Sequence, residues 1–337
     1  MEERALRKVL LIQSIEETDR TGEALPLAER TEATRTAIGN NPPAMETQAQ
    51  APLSSATEWF LVRRSDVLLG SLRARSPGID HVLAVAGGAT SLGRGTLVLA
   101  FVLGLVLSVL DGVRGINIFA LPLVLVIAWN LLIYVVLLAR RGRALCPGFG
   151  RFYARWVRSR MDSLLGHSTR FNAPLAPGLR RFAGDWWDIA QPLFAVRARR
   201  LLHLAAIAVA LGLVAGYYFR GFALRSAAGW EGGSFLGSET ARLLLTVLYG
   251  PASLLSGIPI PAAEDIENLR WSAPSLAGVG EPASWLHLIA LTAALYVVLP
   301  RLILALLASF SLWRLSRHLA LPQGGAGYVR TLFAAAR

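Results

Sequence analysis

The chain has 337 residues, of which 54% are hydrophobic and only 17% charged, and its mean hydropathy is +0.47. The apolar residues are gathered in blocks rather than spread at helix or strand spacing, which excludes an ordinary soluble domain. The net charge of +12 falls between those blocks, and the single cysteine, Cys146, excludes an intrachain disulfide or a cysteine-based zinc site. Of the 34 basic residues only Lys8 is lysine, a bias typical of a GC-rich bacterial genome. Met1-Glu2-Glu3-Arg4 places acids where a signal peptide is basic, so no cleavable secretion signal is expected.

Residues 1–56 form a polar N-terminal region of mixed charge. Glu29 to Ile38 suits a short helix, Gly39-Asn40-Asn41-Pro42-Pro43 breaks it, and Ala44 to Ala56 has linker composition. In the 57–94 region Thr57 can cap a helix running to Arg75, with Trp59, Phe60, Leu68, Leu69 and Leu72 apolar, before Pro77-Gly78 ends it. Residues 95–139 read as a transmembrane hairpin. Its first span is Gly95 to Leu110, and its second, Ile116 to Ala139, follows the short link Asp111–Gly115. A third span covers 201–219 and a fourth 285–313, long enough to need tilt or a kink, for which Pro300 is placed near the middle. Leu243 to Ala263 lacks charge but is interrupted by Gly250-Pro251, so a broken or re-entrant helix is expected there rather than a span. The fold class is therefore all-α and polytopic, with four transmembrane helices.

Orientation follows from arginine placement. Residues 140–200 hold thirteen arginines and three acids, Asp162, Asp185 and Asp188, whereas 220–284 carry four arginines and six acids. By the positive-inside rule the 140–200 segment is cytoplasmic and the 220–284 loop outside. Four spans then return the basic tail, 314–337, to the cytoplasm, so both termini lie on that side.

Four features stand out as candidate sites. Within 140–200, aromatic and aliphatic residues recur at helical spacing among Arg151, Arg155, Trp156, Arg158 and Arg160, and a second segment carries Trp186 and Trp187. That pattern suits helices lying in the headgroup layer over anionic lipid, or docking a cytosolic protein. Nucleic acid is not expected as a partner, because topology accounts for the charge and no nucleic-acid motif is present. Small residues recur every fourth position, Ala100, Gly104, Ser108 and Gly112 in one span and Ala208, Gly212 and Gly216 in another. These rows permit close helix packing, with a helix of the same chain or of a second copy. Arg301, beside Pro300, is the ionisable residue set deepest in a span. It either faces a partner, such as a backbone carbonyl, Asn130, Tyr134 or water, or snorkels toward an interface. The outer loop has Gly229-Trp230-Glu231 and Tyr249-Gly250-Pro251, read as structural turns in preference to a ligand site, with the bilayer surface open to Trp230. The five histidines lack metal-ligand spacing, and Gly87 to Arg94 lacks the ending of a P-loop. No catalytic residues, metal or cofactor are expected, and no enzyme.

The runs Arg200-Leu201-Leu202-His203, Gly216-Tyr217-Tyr218-Phe219-Arg220-Gly221, Gly229-Trp230-Glu231, Gly250-Pro251-Ala252-Ser253 and Leu299-Pro300-Arg301 resemble a proteobacterial polytopic membrane-protein family of unknown function. Its gene is often adjacent to that of a GTPase bearing an uncharacterised C-terminal domain. The resemblance covers roughly residues 95–320. It implies a membrane component of a GTPase-linked system. With the charge placement, the expectation is an inner-membrane scaffold or receptor that engages a cytosolic GTPase through the basic 140–200 segment and the N-terminal region, and self-associates through the small-residue faces. The alternative is a channel or transporter subunit whose path includes Arg301.

Overall fold

A computed structural model describes residues 1–39, 55–88, 91–109, 116–139, 147–166, 173–223, 228–230, 237–271, 282–321 and 325–335. Among these, helix dominates. Three helical stretches are long and apolar enough to cross a membrane, Leu121–Ala139, Ala173–Phe222 and Pro282–Arg317, and Gly93–Val109 is apolar but shorter. The chain divides into two compact units, each assembled from separate stretches. The first comprises Met1–Thr90, Pro147–Ala198 and Ser309–Arg337, the second Ser91–Cys146 and Arg199–Ala308.

The first unit is a helical domain with its own buried apolar core. Its helices are α1 (Glu3–Thr18), α2 (Leu27–Ile38), α3 (Ser55–Arg75) and α4 (Ile79–Ala86). After α5 (Ser91–Val109) and α6 (Leu121–Ala139), which belong to the second unit, come α7 (Pro147–Gly166) and the first part of α8 (Ala176–Ala223). Sequence reading overlooked α1, because its apolar residues sit in a region of mixed charge. Leu6, Val9, Leu10, Leu11, Ile12 and Ile15 are nonetheless all buried, since three- and four-residue steps put them on a broad face covered by α3 and α4. The expected helices at 29–38 and 57–75 are present as α2 and α3. Gly39 closes α2 at φ +52 with its N–H on the Arg35 carbonyl, a helix end that favours glycine. Most of the expected linker lies outside the described residues.

Two polar clusters tie this unit together. The Asp19 carboxylate accepts bonds from the Glu23 N–H at 3.1 Å, the Leu25 N–H at 2.8 Å and Arg30 Nη2 at 2.6 Å, which shapes the turn between α1 and α2. Arg64 of α3 is buried and donates from Nη2 to Glu16 Oε1 at 2.6 Å, from Nε to Thr34 Oγ1 at 2.9 Å and from Nη1 to the Tyr328 hydroxyl at 2.9 Å. Tyr328 lies in the C-terminal helix Gly325–Ala335 and donates in turn to Glu16 Oε2 at 2.6 Å. Burial and the neighbouring Glu16 carboxylate push its hydroxyl well above the ordinary tyrosine range.

In the second unit α5 and the later part of α8 approach closely through small residues. A Cβ on Gly104 would lie 2.0 Å from the Val209 carbonyl oxygen, and one on Gly212 2.0 Å from that of Phe101. Gly216 makes the same approach to Ser108 Oγ. The two small-residue rows therefore pack against each other within one chain: Ala100, Gly104, Ser108, Gly212 and Gly216 are buried and Ala208 half-buried. Gly112 lies outside the described residues.

The rest of this unit comprises two short strands, β1 (Ile116–Asn117) and β2 (Ala228–Gly229), with α9 (Ser238–Ser256), α10 (Ala263–Asn268), α11 (Pro282–Ala293) and α12 (Leu299–Arg317). The strands pair in parallel, Ile116 with Ala228 and Asn117 with Gly229. The expected start of the second span at Ile116 is corrected by this pairing: Ile116 and Asn117 are strand, and α6 begins at Leu121. The expected break at Gly250-Pro251 is also absent. Helix α9 continues through Pro251 and stops at Gly257, where φ is +71. Proline inside a helix costs about 3 kcal/mol. Buried Tyr249 and Ala252 on either side offset that, the Tyr249 hydroxyl reaching the Ile118 carbonyl at 2.9 Å. Trp230 is buried within the unit, with Nε1 donating to the Ile266 carbonyl at 2.8 Å and the Arg270 guanidinium 4.7 Å from its ring. Glu231 lies outside the described residues.

Candidate functional site

The kink expected at Pro300 takes the form of a π-helical turn, Ala294–Val298, between α11 and α12. Proline lacks the N–H that would bond the carbonyl four residues back, here that of Tyr296. The freed oxygen accepts instead from the Tyr134 hydroxyl of α6 at 3.2 Å. Arg301, next along the chain, is only 4% exposed. Its Nε donates to Asn130 Oδ1 at 2.7 Å, and its Nη1 lies 3.1 Å from His203 Nδ1. The guanidinium carbon also stands 5.3 Å from the centre of the Tyr134 ring.

Each partner is preset for this role. Asn130 spends its Nδ2 on the Val126 carbonyl one turn back, at 2.7 Å, so its oxygen is the atom turned to Arg301. His203 accepts only with Nδ1 unprotonated, which assigns the neutral ring with its proton on Nε2. Three helices, α6, α8 and α12, thus converge on one cation held by neutral groups, with no carboxylate in ion-pair reach among the described residues. Of the two readings of Arg301, the enclosed partner is the one observed, and both side chains named from sequence, Asn130 and Tyr134, are among those partners. His203 was missed. The available signal was that Asn130, Tyr134, His203 and Arg301 are polar interruptions in otherwise apolar helices, where groups of this kind seek each other. Arg220 was missed too: its Nη1 donates to the Ser108 carbonyl at 2.6 Å, satisfying an oxygen in the last turn of α5.

In the first unit the residues expected at a lipid or partner interface separate into two groups. Tyr153, Val157 and Met161, four residues apart, bury one face of α7, leaving Arg151, Arg155 and Arg158 exposed on the other and Arg160, seven residues after Tyr153, exposed at the edge of the buried face. Trp156 is half-buried with the Arg160 guanidinium 6.0 Å from its ring, and Trp187 is half-buried beneath that of Arg158 at 5.3 Å. Trp186 leaves the interfacial set. It is 2% exposed and donates from Nε1 to the Ala86 carbonyl at 2.8 Å, so its ring belongs to the core. Most arginines described elsewhere in this unit meet carboxylates, among them Arg30 with Asp19, Arg64 with Glu16, Arg75 with Glu29, Arg181 with Glu17 and Arg197 with Glu3. The four on α7 form no such pair among the described residues.

No protein-family model matches this chain, and no match is found among curated proteins or solved structures.

Proposed function

We propose that this protein is a bacterial inner-membrane scaffold or receptor that engages a cytosolic partner through the basic face of α7. The observation that carries the reading is the set of exposed arginines, none paired with a carboxylate among the described residues, on a helix whose apolar face is fixed in a folded core. Such a surface steers and selects an acidic partner. A GTPase is the partner implied by the resemblance of the spans to a GTPase-linked family. In this reading α5 is the fourth span. Its outward Val98, Leu99, Val102, Leu103, Val106 and Val109 would otherwise face water. With four spans the arginine distribution sets the first unit and both termini in the cytoplasm. Self-association would use a surface other than the small-residue rows, which are consumed within the chain.

The test is purification from native membranes in mild detergent, comparing wild type with a variant in which Arg151, Arg155, Arg158 and Arg160 are all glutamate. Substitution is the right tool, because deleting the whole 140–200 segment would remove the buried residues that α7 and the start of α8 give to the core of the first unit. A stoichiometric GTPase lost in the charge-reversed variant supports the reading; the same partner retained in that variant overturns it.

A second reading, a channel or transporter subunit, rests on the uncompensated guanidinium of Arg301 inside the spans, a placement characteristic of conduction paths and relays. Flux through reconstituted vesicles that is unchanged in Arg301→Gln would sink it.

A further inference from the structure

Between α7 and the start of α8, the first unit holds a cleft of about 190 Å³ that the core packing leaves unfilled. Val157, Met161 and Phe194 form its apolar floor, with the indoles of Trp186 and Trp187 beside them. Charge is confined to the rim, where Arg158, Arg180 and Asp162 stand. Arg158 is set in place over Trp187, while Arg180 is exposed. Neither arginine has a carboxylate in ion-pair reach among the described residues, although the adjacent Arg181 is paired with both Glu17 and Asp185. The rim is therefore net positive, and it continues into the arginine face of α7.

Size narrows the occupant. Pockets for drug-sized molecules run to about 300–1,000 Å³, whereas about 150 Å³ already takes a benzene ring. A space of 190 Å³ is too small for a lipid acyl chain and fits one aromatic or branched aliphatic side chain. A buried anchor of this kind, ringed by polar contacts, is how short segments achieve specific docking.

We propose that this cleft is the docking site for an acidic peptide segment of the cytosolic partner, with one Phe, Trp or Leu seated on the tryptophan-lined floor and flanking carboxylates on Arg158 and Arg180. The assignment rests on the receptor reading and gives it a specific recognition element: charge brings the segment to α7, and the apolar anchor selects it.

Gly184 lies at the cleft, and a Cβ placed there meets nothing within 4 Å, so Gly184→Leu can fill the space without disturbing the helix. The experiment uses the full chain in nanodiscs of zwitterionic lipid. Fluorescein-labelled hexapeptides of Asp and Glu, with Phe, Trp, Leu or Gly at the third position, are titrated by fluorescence anisotropy. Burying the anchor should make the Phe, Trp or Leu peptide bind about 10-fold or more tightly than the Gly peptide. Gly184→Leu should abolish that advantage while leaving the weak binding of the Gly peptide intact, and Arg158→Gln with Arg180→Gln should weaken all four. Equal binding of the anchored and Gly peptides overturns the proposal, as does an anchor advantage that survives Gly184→Leu. Peptides that fail to bind while vesicles rich in anionic lipid bind and are lost on Gly184→Leu also overturn it, since the occupant is then a lipid. A native partner retained by Gly184→Leu but lost on α7 charge reversal rejects the cleft and keeps the receptor. A partner retained by both variants rejects the receptor itself.

Discussion

The two units solve the same problem, burying polar groups among helices, with opposite chemistry. In the first, buried Arg64 and Asp19 are matched by opposite charges, and much of the ion pairing runs between helices. In the second, the buried cation Arg301 is matched by an amide, an imidazole and a ring face, and the closest helix contact is made by glycine. The contrast is what the proposed membrane placement of the second unit's helices leads one to expect. A helix whose other face meets water can draw on the hydrophobic effect for packing and carry charges that need only reach a partner. A helix in lipid gains nothing from hiding apolar surface, so close backbone approach and shared hydrogen bonds must hold it. The outward faces agree: α7 presents arginine, whereas α5, α6 and α12 present leucine, valine and phenylalanine.

The largest expected effect comes from breaking the charge match of the first unit. Arg64→Ala should cost about 3–5 kcal/mol, because it strands the Glu16 carboxylate without its partner. Tyr328→Phe, which removes one hydrogen-bond partner, should cost nearer 1 kcal/mol. Urea unfolding of the full chain in detergent, followed by tryptophan fluorescence, measures both, and similar values for the two would erase the distinction between ion pair and hydrogen bond here. For the helix contact of the second unit, Gly104→Ala should cost about 1–3 kcal/mol by overpacking, since its methyl would meet the Val209 carbonyl. Gly250→Ala, with nothing within 4 Å of the new Cβ, should be tolerated, and thermal unfolding in detergent compares the two. Asn130→Leu should lower stability by about 1–3 kcal/mol, because Arg301 Nε loses its acceptor where water cannot replace it. An unaltered melting temperature would show that the Arg301 cluster is not holding α6 to α12.

The smallest effect is a pH dependence confined to the first unit. Burial alone would raise the Asp19 carboxyl, but the backbone N–H groups of Leu25 and Ala24 and the Arg30 guanidinium hold it below the ordinary carboxylate range. Its folded pKa is thus below its unfolded value of about 3.9. The stabilisation is present above that value and is lost as pH falls through it toward the folded pKa. Wild type and Asp19→Asn should therefore differ in unfolding midpoint at pH 6 and converge as pH drops below 4. A gap that stays constant would mean that Asp19 acts through shape rather than charge.

Sequence by itself determined that the chain is helical and membrane-type, where its long apolar stretches lie, that Pro300 would distort the last of them, and that Arg301 would either snorkel or meet a backbone carbonyl, water or a polar side chain such as Asn130 or Tyr134. These are local matters: hydropathy over about twenty residues, a missing N–H, and a charge with few polar residues available to meet it. Only the tertiary structure decided what each amphipathic face meets. Periodicity marks Tyr153, Val157, Met161 and Trp186 as one-sided but is the same whether that side touches lipid or protein, and here it touches the core of a folded unit. Trp230 and Pro251 follow the same logic, because burial of one and tolerance of the other depend on neighbours such as Ile266 and Ile118, far away in sequence. Helix α1 escaped notice because its apolar face is flanked by charge, and only the network from Glu16 through Arg64 to Tyr328 reveals why that charge is there.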